Sequence, residues 1–170
     1  LDIFAHPDSI PLIAKRPQLY PYQEYVWGYP EPTDVKPVPD ILKTDNYTFR
    51  VIETPGHCAG HVSLVESSKG WCFSGDIFSR ENIKFIRPEE NVRDLISSMK
   101  KISDSVDGDL VLFTSVGKIV EDSHKALRSC IDYLDDLVIK VNQYRSDGND
   151  ADKIMKLIFG ASARISMASP

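Results

Sequence analysis

The stretch from Asp40 to Asp76 limits what this chain can fold into more than any other part of it. Short apolar runs end there at turns rich in glycine, serine and proline. Ile41-Leu42-Lys43 is followed by Tyr47 to Glu53, where Phe49 and Val51 alternate with Arg50 and Ile52. Val62 to Glu66 and Trp71 to Ser74 flank Ser67-Ser68-Lys69-Gly70, a good hairpin turn. Residues 40–76 therefore read as a β-meander with tight turns. Two of those turns carry chemistry: Thr54-Pro55-Gly56-His57-Cys58-Ala59-Gly60-His61 and Ser74-Gly75-Asp76. Turns of this kind can place an imidazole and a carboxylate on the same rim of a sheet. Dinuclear metal sites are often assembled in that way, from loops on a rigid scaffold.

Beyond residue 76 the pattern alternates. Val92, Leu95, Ile96, Met99 and Ile102 follow helical spacing. Asp109 to Phe113 reads as a buried strand. A second helical stripe runs from Ala126 to Val141 and breaks at Asp147-Gly148-Asn149. Ile154, Leu157, Ile158 and Phe159 make a short last helix capped by Gly160. At the other end, Leu1 to Ala5 reads as a buried strand, and His6-Pro7-Asp8-Ser9 opens a helix that stops before Pro17. Residues 17–39 hold six prolines among Tyr20, Tyr22, Tyr25, Trp27 and Tyr29. Proline interrupts ladders and helices, so an irregular loop is expected. Its aromatics either line a substrate entrance or pin the loop to the domain, and the second is the commoner outcome.

The 170 residues suffice for one domain with a substantial core. A net charge of −5 offers no basic surface for nucleic acid. No apolar run approaches the ~20 residues that cross a membrane. Cys58, Cys72 and Cys130 are odd in number and lack C-x-x-C spacing, which favours reduced thiols in a cytoplasmic protein. A chain that starts at Leu1 inside a strand is expected to lack an N-terminal portion. The residues after Gly160 read as an unfinished element, so the C-terminus too is expected to be cut. Such a piece would expose core surface and could associate as a homo-oligomer.

Histidines four apart could be the zinc pair of a helical metalloprotease. Pro55, Gly56 and Gly60 exclude that helix, and Cys58 stands where a catalytic glutamate is needed. In a glycine-rich turn only one of the two is a direct ligand. His57 is that residue, and His61 is expected to make a supporting hydrogen bond. Asp76 can bridge two cations through its two oxygens, or it can cap a turn. Cys58 is a candidate ligand or reactive thiol, while Cys72 and Cys130 read as core.

Thr54-Pro55-Gly56-His57 with Gly60-His61, then Phe73-Ser74-Gly75-Asp76, resembles the metallo-β-lactamase superfamily, particularly its glyoxalase II-like hydrolases. Leu110 to Gly117, Ile119-Val120 and the helix from Ser123 resemble the family's next strand, Gly-His-Gly turn and helix. The resemblance implies an α+β fold: the C-terminal part of a four-layer αββα sandwich, a mixed sheet flanked by helices, in a single domain spanning 1–170. It implies zinc, or iron or manganese, as one or two ions in the full-length protein. It also implies a metal-bound hydroxide that attacks an ester, thioester, amide or phosphoester of a small-molecule substrate. On that model His57 ligates the first ion and Asp76 bridges both. No residue is assigned a catalytic role.

This chain departs from the family pattern twice. The His-x-His-x-Asp-His segment that supplies most ligands is absent; its place is just before Leu1. Ser115-Val116-Gly117 stands where the family has Gly-His-Gly, and valine ligates no metal. His124 in the following helix is a poor substitute and reads as a solvated position, and His6 reads as structural. The alternative function is therefore a degenerate, non-catalytic member of the fold that serves as a binding module.

Overall fold

A computed structural model describes residues 2–160 apart from 82, 84, 85 and 88. Its centre is a six-stranded mixed sheet whose strands lie in chain order. They are β3 (Ile41–Lys43), β4 (Thr48–Glu53), β5 (Val62–Glu66), β6 (Trp71–Gly75), β7 (Val111–Thr114) and β8 (Ile119–Val120). Within this sheet only β6 and β7 pair in parallel. That pair needs a crossover, which α3 (Val92–Ser103) supplies. The long helix α4 (Ser123–Ser146) and the short α5 (Ala151–Phe159) follow.

Period-2 alternation gives the sheet two faces. One carries Val65, Cys72 and Leu112, all fully buried. Leu95, Met99 and Ile102 of α3 and Leu127, Cys130 and Leu134 of α4 close over it. Each such side chain contributes about 1.5–3 kcal/mol when fully buried. Burial pushes the Cys72 and Cys130 thiols up to about 12. They are inert core residues, as the pattern suggested.

The opposite face is also apolar. Register puts Val51 opposite Leu64, Leu64 opposite Phe73, and Phe73 opposite Phe113. Phe73 stacks on Phe113 with ring centroids 4.9 Å apart, and Trp71 and Phe49 extend the array. No helix covers this face among the described residues. They thus form one helical layer and one sheet of the four layers that the resemblance implies.

Two expectations fail in the first forty residues. The strand expected at the N-terminus is only Phe4–Ala5 (β1), it is not buried, and Leu1 lies outside the described residues. The stretch 17–39 is not wholly irregular. It contains helix α2 (Pro21–Trp27) and a strand, Lys36–Pro37 (β2), that pairs in parallel with β1. Pro21 sits in the first turn of α2, where its missing N–H costs nothing. Gln23 closes that turn by accepting from the Tyr20 amide at 2.9 Å. The expected helix near residue 10 is a 3₁₀ turn, Pro7–Ser9, running into α1 (Ile10–Ile13). The remaining elements lie where the periodicity put them, and Gly160 ends α5 with φ +79. The segment beyond it, expected as an unfinished element, is outside the described residues. No helix among those described is long and apolar enough to cross a membrane.

Candidate metal centre

The loop from Thr54 to His61 leaves β4 and is stapled to α3. Ser98 Oγ donates to the Pro55 carbonyl at 2.6 Å, and the Asn91 amide donates to the Gly56 carbonyl at 2.8 Å. Gly56 has φ +131, and a Cβ there would lie 2.4 Å from the Leu95 nitrogen. Only glycine lets the loop lie this close to the first turn of α3. The result fixes where His57 leaves the backbone.

His57 Nε2 and Asp76 Oδ2 face one another at 3.7 Å. That is beyond hydrogen-bond reach. On its other side His57 Nδ1 lies 2.8 Å from Glu90 Oε1. A carboxylate only accepts, so Nδ1 carries a proton, and Nε2 is bare whenever the ring is neutral. The hydrogen bond to Glu90 raises the His57 imidazole above its ordinary value, against the opposing effect of burial. Burial works to raise Glu90, but bonds from His57 and the Arg87 amide outweigh it and hold the carboxyl below its ordinary range. Ser115 Oγ donates to Asp76 Oδ1 at 2.6 Å, which leaves Oδ2 toward His57.

His61 has a different task. Its Nε2 accepts from the Asp76 backbone amide at 3.2 Å, so the proton sits on Nδ1. Nδ1 donates to Thr54 Oγ1 at 2.9 Å, and Thr54 in turn bonds Ser63. Both ring nitrogens are spent. Burial lowers the His61 pKa and the neighbouring His57 lowers it further. Gly75, at φ +54, leaves just enough room: a Cβ there would lie 2.5 Å from His61 Nε2. His61 thus supports the turn that presents Asp76.

The two donors open into a cleft of about 300 Å³ whose wall also includes Ser79, Arg80, Arg87, Glu90 and Val116. Val116 is 55% exposed in that wall. Cys58 is exposed beside His57, with its thiol pushed up by partial burial. His6 donates from Nε2 to Glu53 and is structural. His124 is not simply solvated, as its helix position suggested. It accepts from Ser103 Oγ and donates to the Gly108 carbonyl, each at 2.9 Å, tying α4 to the connection after α3.

The donor chemistry suits a divalent cation: an imidazole nitrogen that is free to ligate when the ring is neutral and a carboxylate oxygen, each held by a partner on its far side. Zinc forms bonds of about 2.0–2.2 Å to such atoms. The set is partial, because no group of three or more His, Cys, Asp or Glu able to hold an ion occurs among the described residues. Sequence reasoning did not find Glu90 or Ser115. They lie 33 and 39 residues from the groups they hold, without local periodicity. The available signal was an acidic residue directly before the Asn91 helix cap, and a serine beside the position where the family pattern expects histidine.

No family model matches the chain. Hydroxyacylglutathione hydrolase GloC of Haemophilus influenzae is 29% identical over 79 residues, 46% of this chain and 37% of the relative. Among solved structures, TTHA1623 in a di-iron-bound form superposes with a TM-score of 0.56 at 22% identity, covering 74% of this chain and 62% of that one. The B3 metallo-β-lactamase BLEG-1 gives 0.55 at 18% identity, with 74% and 62% covered. A metallo-β-lactamase family protein from Thermus thermophilus, TTHA1429, gives 0.55 at 18%, with 82% and 55% covered. The chain spans less than two thirds of each of these relatives. Its α+β fold is that of the metallo-β-lactamase superfamily, of which it matches a part.

Proposed function

We propose that this chain is the part of a metal-dependent hydrolase that contributes His57 and Asp76 to a metal centre. The remaining ligands would come from a preceding segment of the same protein. The carrying observation is the pair itself: an imidazole nitrogen and a carboxylate oxygen 3.7 Å apart in one cleft, each fixed from behind. A bound zinc, iron or manganese ion would polarise the scissile group and lower the pKa of coordinated water toward ~7. His57 and Asp76 would hold the ion, Glu90 and Ser115 would orient them, and His61 would keep the Asp76 turn in place. The substrate class is an ester, thioester, amide or phosphoester of a small molecule. The likeness to GloC makes a glutathione thioester the first substrate to try.

The test is metal analysis of the full-length protein, expressed with ample metal, beside His57→Ala and Asp76→Ala. At least one ion per chain is expected, with both substitutions abolishing binding and thioester hydrolysis. Less than one ion per chain would overturn the reading. The 170-residue chain alone is expected to be inactive, since two protein ligands leave an ion mostly to water.

The second reading is a binding module that kept the fold and lost the chemistry. Val116 favours it, because an apolar side chain lines the cleft beside Asp76. Full-length protein that binds the thioester without turning it over would support this reading over the first.

A further inference from the structure

The cleft contains a residue that need touch neither an ion nor a substrate, yet decides what His57 can do. Glu90 is nearly buried, its side chain 13% exposed, and both carboxylate oxygens are engaged. Oε2 accepts from the Arg87 amide at 2.7 Å, and Oε1 meets His57 Nδ1 at 2.8 Å. The Glu90 amide donates back to the Arg87 carbonyl at 3.0 Å, closing a turn. The next residue, Asn91, caps α3 through its side chain and bonds Gly56 through its amide. The carboxylate is thus anchored to the same staple that holds the His57 loop.

We propose that Glu90 is the positioning residue of His57, locking the imidazole in its Nδ1–H tautomer and turning bare Nε2 toward Asp76. A free neutral histidine side chain favours the proton on Nε2, the tautomer that cannot ligate from that atom. The hydrogen bond made at one ring nitrogen sets the state of the other. Among the described residues, every other neighbour leaves the choice open. The His61 ring lies edge-on with centroids 6.2 Å apart, and Asp76 is too far from Nε2 to hydrogen-bond. What Nε2 is aimed at rests on the metal-centre reading above; the orientation rests on the hydrogen bonds alone.

The experiment uses the full-length protein, freed of metal and labelled with ¹⁵N-histidine, read by NMR at a pH where imidazole is neutral, with zinc affinity measured by chelator competition. Wild type is expected to show His57 with a protonated Nδ1. Glu90→Ala should swing it toward the Nε2–H form and weaken zinc binding by about 10–100-fold. Glu90→Gln keeps a carbonyl acceptor, so it should keep the tautomer and most of the affinity. Glu89→Ala perturbs the same segment without touching His57 and should change neither. A wild-type His57 protonated on Nε2 overturns the proposal, a result that needs no variant to fold. So does Glu90→Ala with tautomer and affinity both unchanged, in which case the metal reading still stands. If the tautomer swings in Glu90→Ala but wild type binds no zinc, the positioning role holds and the metal reading fails.

Discussion

Gly75 carries a demand that no other side chain could meet. Its backbone is left-handed at φ +54, and the space where a Cβ would sit is taken by the His61 ring. That ring cannot yield cheaply, because Thr54 and the Asp76 amide hold its two nitrogens. Gly75→Ala should therefore cost about 2–4 kcal/mol, combining left-handed strain with a displaced hydrogen-bonded ring. Ion binding should fall by more than the stability loss explains, since the displaced turn carries Asp76. Urea denaturation followed by zinc titration of the still-folded fraction checks both parts. Stability within about 0.5 kcal/mol of wild type, the range of neutral surface changes, would sink this account of the turn. At this scale the legible residues were those inside a motif. His57, His61 and Asp76 announced themselves because turn glycines and apolar strand ends surround them. Glu90 and Ser115 did not, because what defines them is proximity created by the fold, and their own neighbourhoods in the chain carry no pattern.

The elements show the same division. Strands and helices after residue 40 were legible from periodicity because each buries one apolar face. Helix α2 was not, because its seven residues carry no core-facing stripe and none is buried. It is held by polar contacts at one point. The Tyr22 hydroxyl donates to Glu89, and Gln23 Nε2 donates to the same oxygen at 3.1 Å. Trp27 lies under the Arg87 guanidinium, 5.5 Å from the ring centroid. Burial and the bond to Glu89 push the Tyr22 phenol up to about 12. A raised value favours the protonated, donating form in the folded state. The contribution is complete below the ordinary tyrosine value, near 10, and is lost as pH rises through about 12. Spectrophotometric titration should show a late phenolate phase near 12 that Tyr22→Phe removes. If that phase survives the substitution, α2 is not docked through Tyr22.

For the molecule as a whole, the sheet is the element to weigh. A sheet apolar on both faces belongs inside a fold covered on both sides. Here one face has its helices. The other presents Phe49, Val51, Leu64, Trp71, Phe73 and Phe113 as a continuous patch, with Ile119 beyond. An exposed patch of that kind marks an association surface. The purified 170-residue chain should therefore self-associate through this face, bind a hydrophobic dye, and dissociate on dilution. Phe73 is the informative position. It stands at the centre of the array yet is 41% exposed, so it contributes little to the fold of the single chain. Phe73→Lys should place a charge in the middle of the patch, cost about 1 kcal/mol or less in stability, and shift sedimentation toward monomer. Phe49→Lys, nearer the edge, should act in the same direction with smaller effect. A wild-type chain that stays monomeric at ~100 μM without dye binding would mean the aromatic array is sealed by its own stacking. The open face would then no longer argue for a further layer of the fold.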